Sequence, residues 1–69
     1  MLERERAAEL RAAIVALPLK LREAFVLVYL EGLSGAEVAG MLGAREGTIW
    51  KRLHQARAAL RERLKGVRP

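Results

Sequence analysis

The sequence predicts an all-α domain, a small bundle of three or four helices. Two observations lead to this class: apolar residues recur at helical spacing in four segments, and no segment alternates apolar and polar residues as a half-buried strand does. A length of 69 residues and a hydrophobic content of 52% fit one small folded domain rather than a disordered tail. Cysteine is absent and histidine occurs once, which excludes disulfides and argues against a metal site.

The first helix is predicted near residues 2–16, where many charged residues accompany a stripe of Leu10, Ile14 and Leu17. We interpret residues 1–16 as a leading helix or linker and residues 17–65 as the domain proper. Pro18 suits the first turn of the next helix, because a proline there gives up an N–H that would have no partner in the helix.

The second helix contains an almost continuous apolar run over residues 24–30. A helix that is apolar nearly all round is a buried one, so we expect this helix to be central and the most buried. We expect Phe25 and Tyr29 to lie in the core. Gly32 then ends the helix as a residue in the left-handed conformation.

The third helix begins with a capping-box spacing at Ser34 and Glu37. In such a box the serine hydroxyl accepts from the third helical amide, and the glutamate accepts from the serine amide. A short helix over about 35–42 follows, with Val38, Ala39 and Leu42 facing inward, and Gly43 ends it.

The fourth helix is predicted to follow Ala44 and Arg45 and to reach about Leu64, with residues 66–69 as a frayed tail. Its buried side is an apolar stripe of Ile49, Leu53, Ala56, Leu60 and Leu64. The third and fourth helices, joined by a tight glycine turn, form a helix-turn-helix without winged elements. The alternative is an αα-hairpin with ordinary core residues.

The positive charge is concentrated in the last third of the chain. Residues 1–43 hold five Lys or Arg and six Glu, a net charge of −1, whereas residues 44–69 hold eight Lys or Arg and two Glu, a net charge of +6. This polarity favours a polyanion partner, nucleic acid before membrane. The alternative is a solvated helix face that is balanced elsewhere in a longer protein.

A helical wheel of the fourth helix places a polar and cationic face opposite its apolar stripe. On that face a lysine can donate to guanine, a glutamine can bond adenine, and an apolar ring can contact a thymine methyl. Arginines at the shoulders and the amides at the helix start suit phosphates. The candidate DNA-binding residues are Arg45, Gly47, Thr48, Trp50, Lys51, Arg52, His54, Gln55 and Arg57. Trp50 has a second interpretation, as an anchor for a protein partner.

These residues resemble region 4 of a bacterial RNA polymerase sigma factor, and the extracytoplasmic-function (ECF) class most of all. The similarity covers about residues 17–60. The segments that carry it are Leu17-Pro18, Arg22, Phe25, Glu31-Gly32-Leu33-Ser34, Glu37-Val38-Ala39, Leu42-Gly43, Glu46-Gly47-Thr48-Ile49 and Arg52-Leu53-His54-Gln55-Ala56-Arg57.

The resemblance implies recognition of the promoter −35 element in transcription initiation, with the fourth helix in the major groove. It also implies docking on the β flap of core RNA polymerase and control by an anti-sigma factor. The family's DNA-contacting positions fall on Thr48, Trp50, Lys51, His54 and Gln55. We expect the chain to be a piece of a longer factor whose N-terminal domain binds the −10 element.

The reading face departs from the family pattern more than the scaffold does. Trp50 and Lys51 stand where Lys or Arg and then Ser are common, and Gln55 stands where Arg or Lys is common. Val28 replaces an arginine found in some members. Arg45 stands where a serine or proline often begins the recognition helix, so a side-chain cap is missing.

Two alternative functions remain at this stage: a protein-interaction module for an anti-sigma factor or the β flap, and a LuxR-type response-regulator output domain. An enzyme is not expected, since the sequence has no acid–base pair, nucleophile or phosphate loop. We expect no cofactor, metal or small-molecule substrate and no membrane association. The expected compartment is the cytoplasm, and the nucleoid for the holoenzyme.

Overall fold

A computed structural model describes residues 2–65 of the chain, with side chains from residue 4 onward. Helix α1 spans Leu2–Val15, α2 spans Leu19–Phe25 and continues as a π-helical segment over Val26–Leu30, α3 spans Gly35–Leu42, and α4 spans Glu46–Leu64. The predicted all-α class is confirmed, and no strand occurs within residues 2–65. The frayed tail predicted at 66–69 lies outside the described residues.

The buried residues of the domain form two clusters, and the apolar stripe of α4 contributes to both. Ile49 and Leu53 are fully buried among α2 and α3 residues, and this group is called the α3 cluster here. Ala56 and Leu60 are buried against α1, which makes the α1 cluster. Phe25 is half-buried and contacts both clusters. The predicted stripe of α4 is therefore confirmed.

Among its described side chains, those from residue 4 onward, helix α1 enters the core through its C-terminal end. Ala13, Ile14 and Leu17 are buried in the α1 cluster, whereas Leu10 is 42% exposed. The expectation that Leu10 belongs to the buried stripe is wrong, because the contact with α4 begins one turn later. Arg22 holds the corner between α1 and α2: its guanidinium donates to the carbonyl of Val15 at 2.9 Å. The domain boundary predicted at residue 17 stays a prediction.

The second helix is less buried than predicted. Ala24 is its single buried residue within α2 and the π-helical segment, and the expectation of a core Tyr29 is wrong, since that side chain is 45% exposed. A π turn takes more residues than an α turn, so residues after Phe25 rotate away from positions drawn at α-helical spacing. The Tyr29 ring packs instead on Phe25, with ring centroids 4.8 Å apart.

Both glycine turns form as predicted. Gly32 and Gly43 have φ angles of 75° and 64°, a conformation that side chains with a Cβ disfavour. The amide of Leu33 donates to the carbonyl of Leu27, one residue further back than in the usual glycine ending of an α-helix, because the π-helical segment is wider. The amide of Ala44 donates to Ala39 after Gly43 at 2.9 Å.

The capping box of α3 is complete. The amide of Glu37 donates to the Ser34 hydroxyl at 3.0 Å, and the amide of Ser34 donates to the Glu37 carboxylate at 2.9 Å. Hydrogen bonding from the Ser34 amide, and secondarily from the Ser34 side chain, lowers the pKa of Glu37 from its usual 4.5. The cap fixes where α3 begins, directly beside the start of α4.

Candidate nucleic-acid interface

The crossing of α3 and α4 is set by small and branched residues in the α3 cluster. Val38 is fully buried and Ala39 is 7% exposed, so the two helices meet without a large side chain between them. Gly43 turns the chain, and Ile49 and Leu53 pack back onto α3. This is the predicted helix-turn-helix, and it leaves the opposite side of α4 uncovered.

The predicted reading residues lie on that uncovered side of α4. Lys51, His54 and Gln55 are exposed, and Gly47 has open space where a Cβ would stand. Two others, Thr48 and Arg52, are half-buried at the edges of the face. These residues therefore lie on one surface of α4, and none of them is buried in the core.

Within the part of the chain that the structure describes, the cations of this face form no ion pairs with carboxylates of the domain. Within residues 4–65 the structure contains one ion pair, between Lys65 and Glu62 at 3.6 Å, near the far end of α4. Lys51 and Arg52 thus have no acidic partner among the described side chains. Cationic groups left without a carboxylate attract polyanions, and the attraction weakens as salt rises.

Helix α4 begins without a side-chain cap, as predicted. Arg45 holds the N-cap position in an extended conformation, and its side chain forms no capping bond. Its carbonyl accepts the amides of Thr48 and Ile49 at 3.0 and 3.2 Å. The first amides of α4 stay available to an external acceptor, which the helix dipole favours if it is an anion.

Trp50 is half-exposed and is held from two sides. Its ring covers the start of α3 so closely that a Cβ on Gly35 would lie 2.8 Å from its Cζ2 atom. Its Nε1 donates to a carboxylate oxygen of Glu46 at 3.3 Å, one turn earlier in α4. Gly35 and Glu46 were absent from the predicted site. The i, i+4 spacing of Glu46 and Trp50 could have indicated the second contact, but only the fold brings Gly35 to the ring.

Arg57 is also held by an aromatic side chain. Its guanidinium donates to the hydroxyl of Tyr29, and its central carbon lies 5.8 Å from the centre of that ring, a distance that allows a cation–π contact. Arg57 is exposed at the shoulder of the face, as the helical wheel predicts. Tyr29 was predicted as a core residue, so its role beside Arg57 was missed.

The other features of the described residues, 2–65, concern metals and membranes. No three side chains of the metal-binding types come together there. None of the described helices has both the length and the apolar character needed to cross a membrane.

Comparison with known proteins agrees with this geometry. Residues 7–60 match the family described as sigma-70, region 4. The chain is 44% identical to the ECF RNA polymerase sigma factor SigE of Mycolicibacterium smegmatis over 57 residues, which are 83% of this chain and 22% of the relative. It is 43% identical to the ECF RNA polymerase sigma factor SigM of Mycobacterium tuberculosis over 56 residues, 81% of this chain and 29% of the relative.

The chain thus spans less than a third of the length of these relatives. The match extends further toward the N-terminus than the predicted resemblance over 17–60, since it begins within α1. The resemblance inferred from the motifs is confirmed: the chain belongs to the sigma-70 region 4 family.

Proposed function

We propose that this domain binds the −35 element of promoters as region 4 of an ECF-type sigma factor and thereby supports transcription initiation. The observation that carries the proposal is the uncovered, cationic side of α4, which lies opposite the fully buried Ile49 and Leu53. An α-helix fits the major groove of B-DNA, and in a helix-turn-helix the second helix is the one that enters it.

The side chains at the centre of the face are assigned to bases. Lys51 donates to the O6 and N7 acceptors of a guanine, and Gln55 bonds the N6 and N7 edge of an adenine. His54 lies exposed between them along the helix and donates to a neighbouring base or phosphate.

The side chains at the edge of the face are assigned to the DNA backbone. Arg45, Thr48 and the uncapped amides of α4 meet one phosphate group, while Arg52 and Arg57 meet others at the shoulders. When the domain binds DNA, Arg57 either breaks its contact with Tyr29 or keeps it while it contacts the phosphate. Gly47 lets the helix approach the sugar-phosphate chain, since no Cβ stands in the way.

The test is binding of the chain to −35 duplexes and to scrambled duplexes of the same composition over a salt series. We expect tighter binding to the promoter duplex, and an affinity that falls as salt rises because cations on DNA are released. Equal affinity for the two duplexes at every salt concentration would contradict the proposal.

Lys51→Ala tests the base assignment. A lysine that reads a base should cost about 1–3 kcal/mol of binding free energy when removed, whereas Lys20→Ala, which removes an exposed lysine from α2, should cost much less. Competition assays on the two duplexes measure both. Unchanged affinity for Lys51→Ala would remove this residue from the reading face.

A second proposed function is protein binding, to the β flap of core RNA polymerase and to an anti-sigma factor. The observation that favours it is a set of exposed large apolar side chains away from the reading face: Leu19 at 58%, Leu30 at 61% and Met41 at 61%. Large apolar side chains that are exposed in this way are available for contact with a protein partner. Leu30→Ser should weaken flap or anti-sigma binding and leave binding to DNA unchanged.

A further inference from the structure

We propose that Trp50 is a specificity-determining residue, which selects a thymine at one base pair by packing its ring against the C5-methyl group. The inference rests on the proposed function, since it concerns how the same face distinguishes DNA sequences. It follows from three properties of the side chain: what its polar group does, how it is held, and where it lies.

The hydrogen-bonding group of the Trp50 side chain already has a partner within the domain. The indole N–H is the only hydrogen-bonding group of tryptophan, and here it donates to Glu46 at 3.3 Å. The side chain is 48% exposed, so what remains to meet DNA is hydrocarbon ring. On the major-groove edge of the base pairs the thymine methyl is the apolar feature, whereas the other groups are hydrogen-bond donors and acceptors. A ring without a free donor can recognise the methyl and little else.

The ring is held in place before DNA arrives. Glu46 fixes its edge from one turn earlier in α4, and Gly35 lies against Cζ2 and Cε2 at distances that leave no room for a Cβ. A side chain ordered in advance loses little conformational entropy on binding. The ring can therefore discriminate between bases, because a base without the methyl group leaves a gap that the held ring does not move to fill.

The position of the ring favours DNA over a protein partner as its ligand. Trp50 is in the second turn of α4, and its ring packs against the start of α3. It is followed by exposed Lys51 and, one turn later, by exposed His54. The carboxylate of Glu46 accepts the hydrogen bond of the indole N–H. An apolar ring on a face that also carries the cationic Lys51 suits a methyl group in a polyanion better than the apolar face of a protein.

The experiment starts from duplexes that the 69-residue chain itself selects from a random pool. Each thymine of the selected duplex is then replaced singly by uracil, which removes the methyl group and keeps every hydrogen-bonding group. We expect one replacement to weaken binding by about fourfold, the equivalent of one buried methyl group. Trp50→Ala should bind the thymine and uracil duplexes equally at that position.

Two further variants separate reading from folding. Gly35→Ala keeps the indole but forces it to move, so the uracil penalty should shrink, while Gly40→Ala, in open space on the same helix, should keep the full penalty. His54→Ala should lower affinity overall and also keep the penalty. Circular dichroism establishes that each variant is folded.

The outcomes distinguish the two proposals. A uracil penalty that is present in the natural chain and absent in Trp50→Ala supports the inference. A selected duplex on which every thymine gives the same result for both proteins overturns it and leaves DNA recognition in place. A pool in which no sequence is enriched overturns the proposed function and this inference with it.

Discussion

Gly35 and Gly40 lie in the same short helix, yet adding a methyl group at the two positions should change stability in opposite directions. At Gly40 a Cβ meets nothing within 4 Å, so Gly40→Ala should stabilise the domain by about 0.5–1 kcal/mol, the usual difference between the two residues in a helix. In a domain of this size such a gain raises Tm by roughly 2–8 °C.

At Gly35 the same methyl group would lie 2.8 Å from the Trp50 ring, so the ring must move. The ring is half-exposed and can swing outward, so the cost belongs at the low end of that for overpacking, about 1 kcal/mol net. The movement also breaks the bond from Trp50 to Glu46. Because Trp50 is the only tryptophan, its emission should shift to longer wavelength in Gly35→Ala alone.

Urea denaturation followed by circular dichroism measures both changes in stability, and fluorescence measures the ring. The matched background is Trp50→Ala, in which Gly35→Ala should no longer be destabilising, so the pair should show a coupling of about 1 kcal/mol. If Gly35→Ala stabilised the domain as much as Gly40→Ala and left the emission unchanged, the contact between Trp50 and α3 would be refuted.

Three other predictions follow from the same structure. Gly47→Ala should leave the domain as stable or slightly more stable but weaken DNA binding several-fold relative to Gly40→Ala; equal affinity by competition assay would show that the backbone at Gly47 stays away from DNA. Glu37 has a lowered pKa in the folded state, so its stabilising effect is complete above the ordinary value of 4.5 and is lost as pH falls below it. Urea denaturation at a series of pH values should show that the natural chain loses its greater stability relative to Glu37→Gln as pH falls below 4.5. A difference in stability that stays constant with pH would argue against the capping interaction of Glu37. Leu53→Ala removes a fully buried side chain and should cost about 2–5 kcal/mol, enough to unfold much of a small domain, whereas Leu19→Ala, at an exposed position, should change the denaturation midpoint little.

The parts of the fold that could be predicted are those whose signal lies within one element. The capping box depends on Ser34 and Glu37, three residues apart, and both hydrogen bonds form. The turn at Gly43 and the buried stripe of α4 are equally local, and they are sufficient to place the exposed side of α4. For that reason the reading face could be assembled from the sequence, although its contacts with DNA stay predictions.

What could not be predicted depends on pairs of elements. Tyr29 lies outside the core because a π turn changes the angle between successive residues. A helical wheel drawn at α-helical spacing does not include that change. The exposure of Leu10 depends on where α1 meets α4. The contact between Gly35 and Trp50 joins residues fifteen positions apart in the sequence. A glycine at the start of a helix does not by itself indicate that an aromatic ring packs against it.

The two halves of α4 pack in different clusters, so changes in the two clusters affect stability and DNA recognition differently. The half of α4 that carries Lys51 and His54 is fixed by α2 and α3, through Ile49 and Leu53. The other half is fixed by α1, through Ala56 and Leu60. A change in α1 can therefore lower the stability of the domain without altering the geometry of the reading face, because that geometry depends on packing against α2 and α3. A change at the crossing, by contrast, affects stability and recognition together, since Ile49 and Leu53 orient the same turns of helix that are proposed to enter the groove.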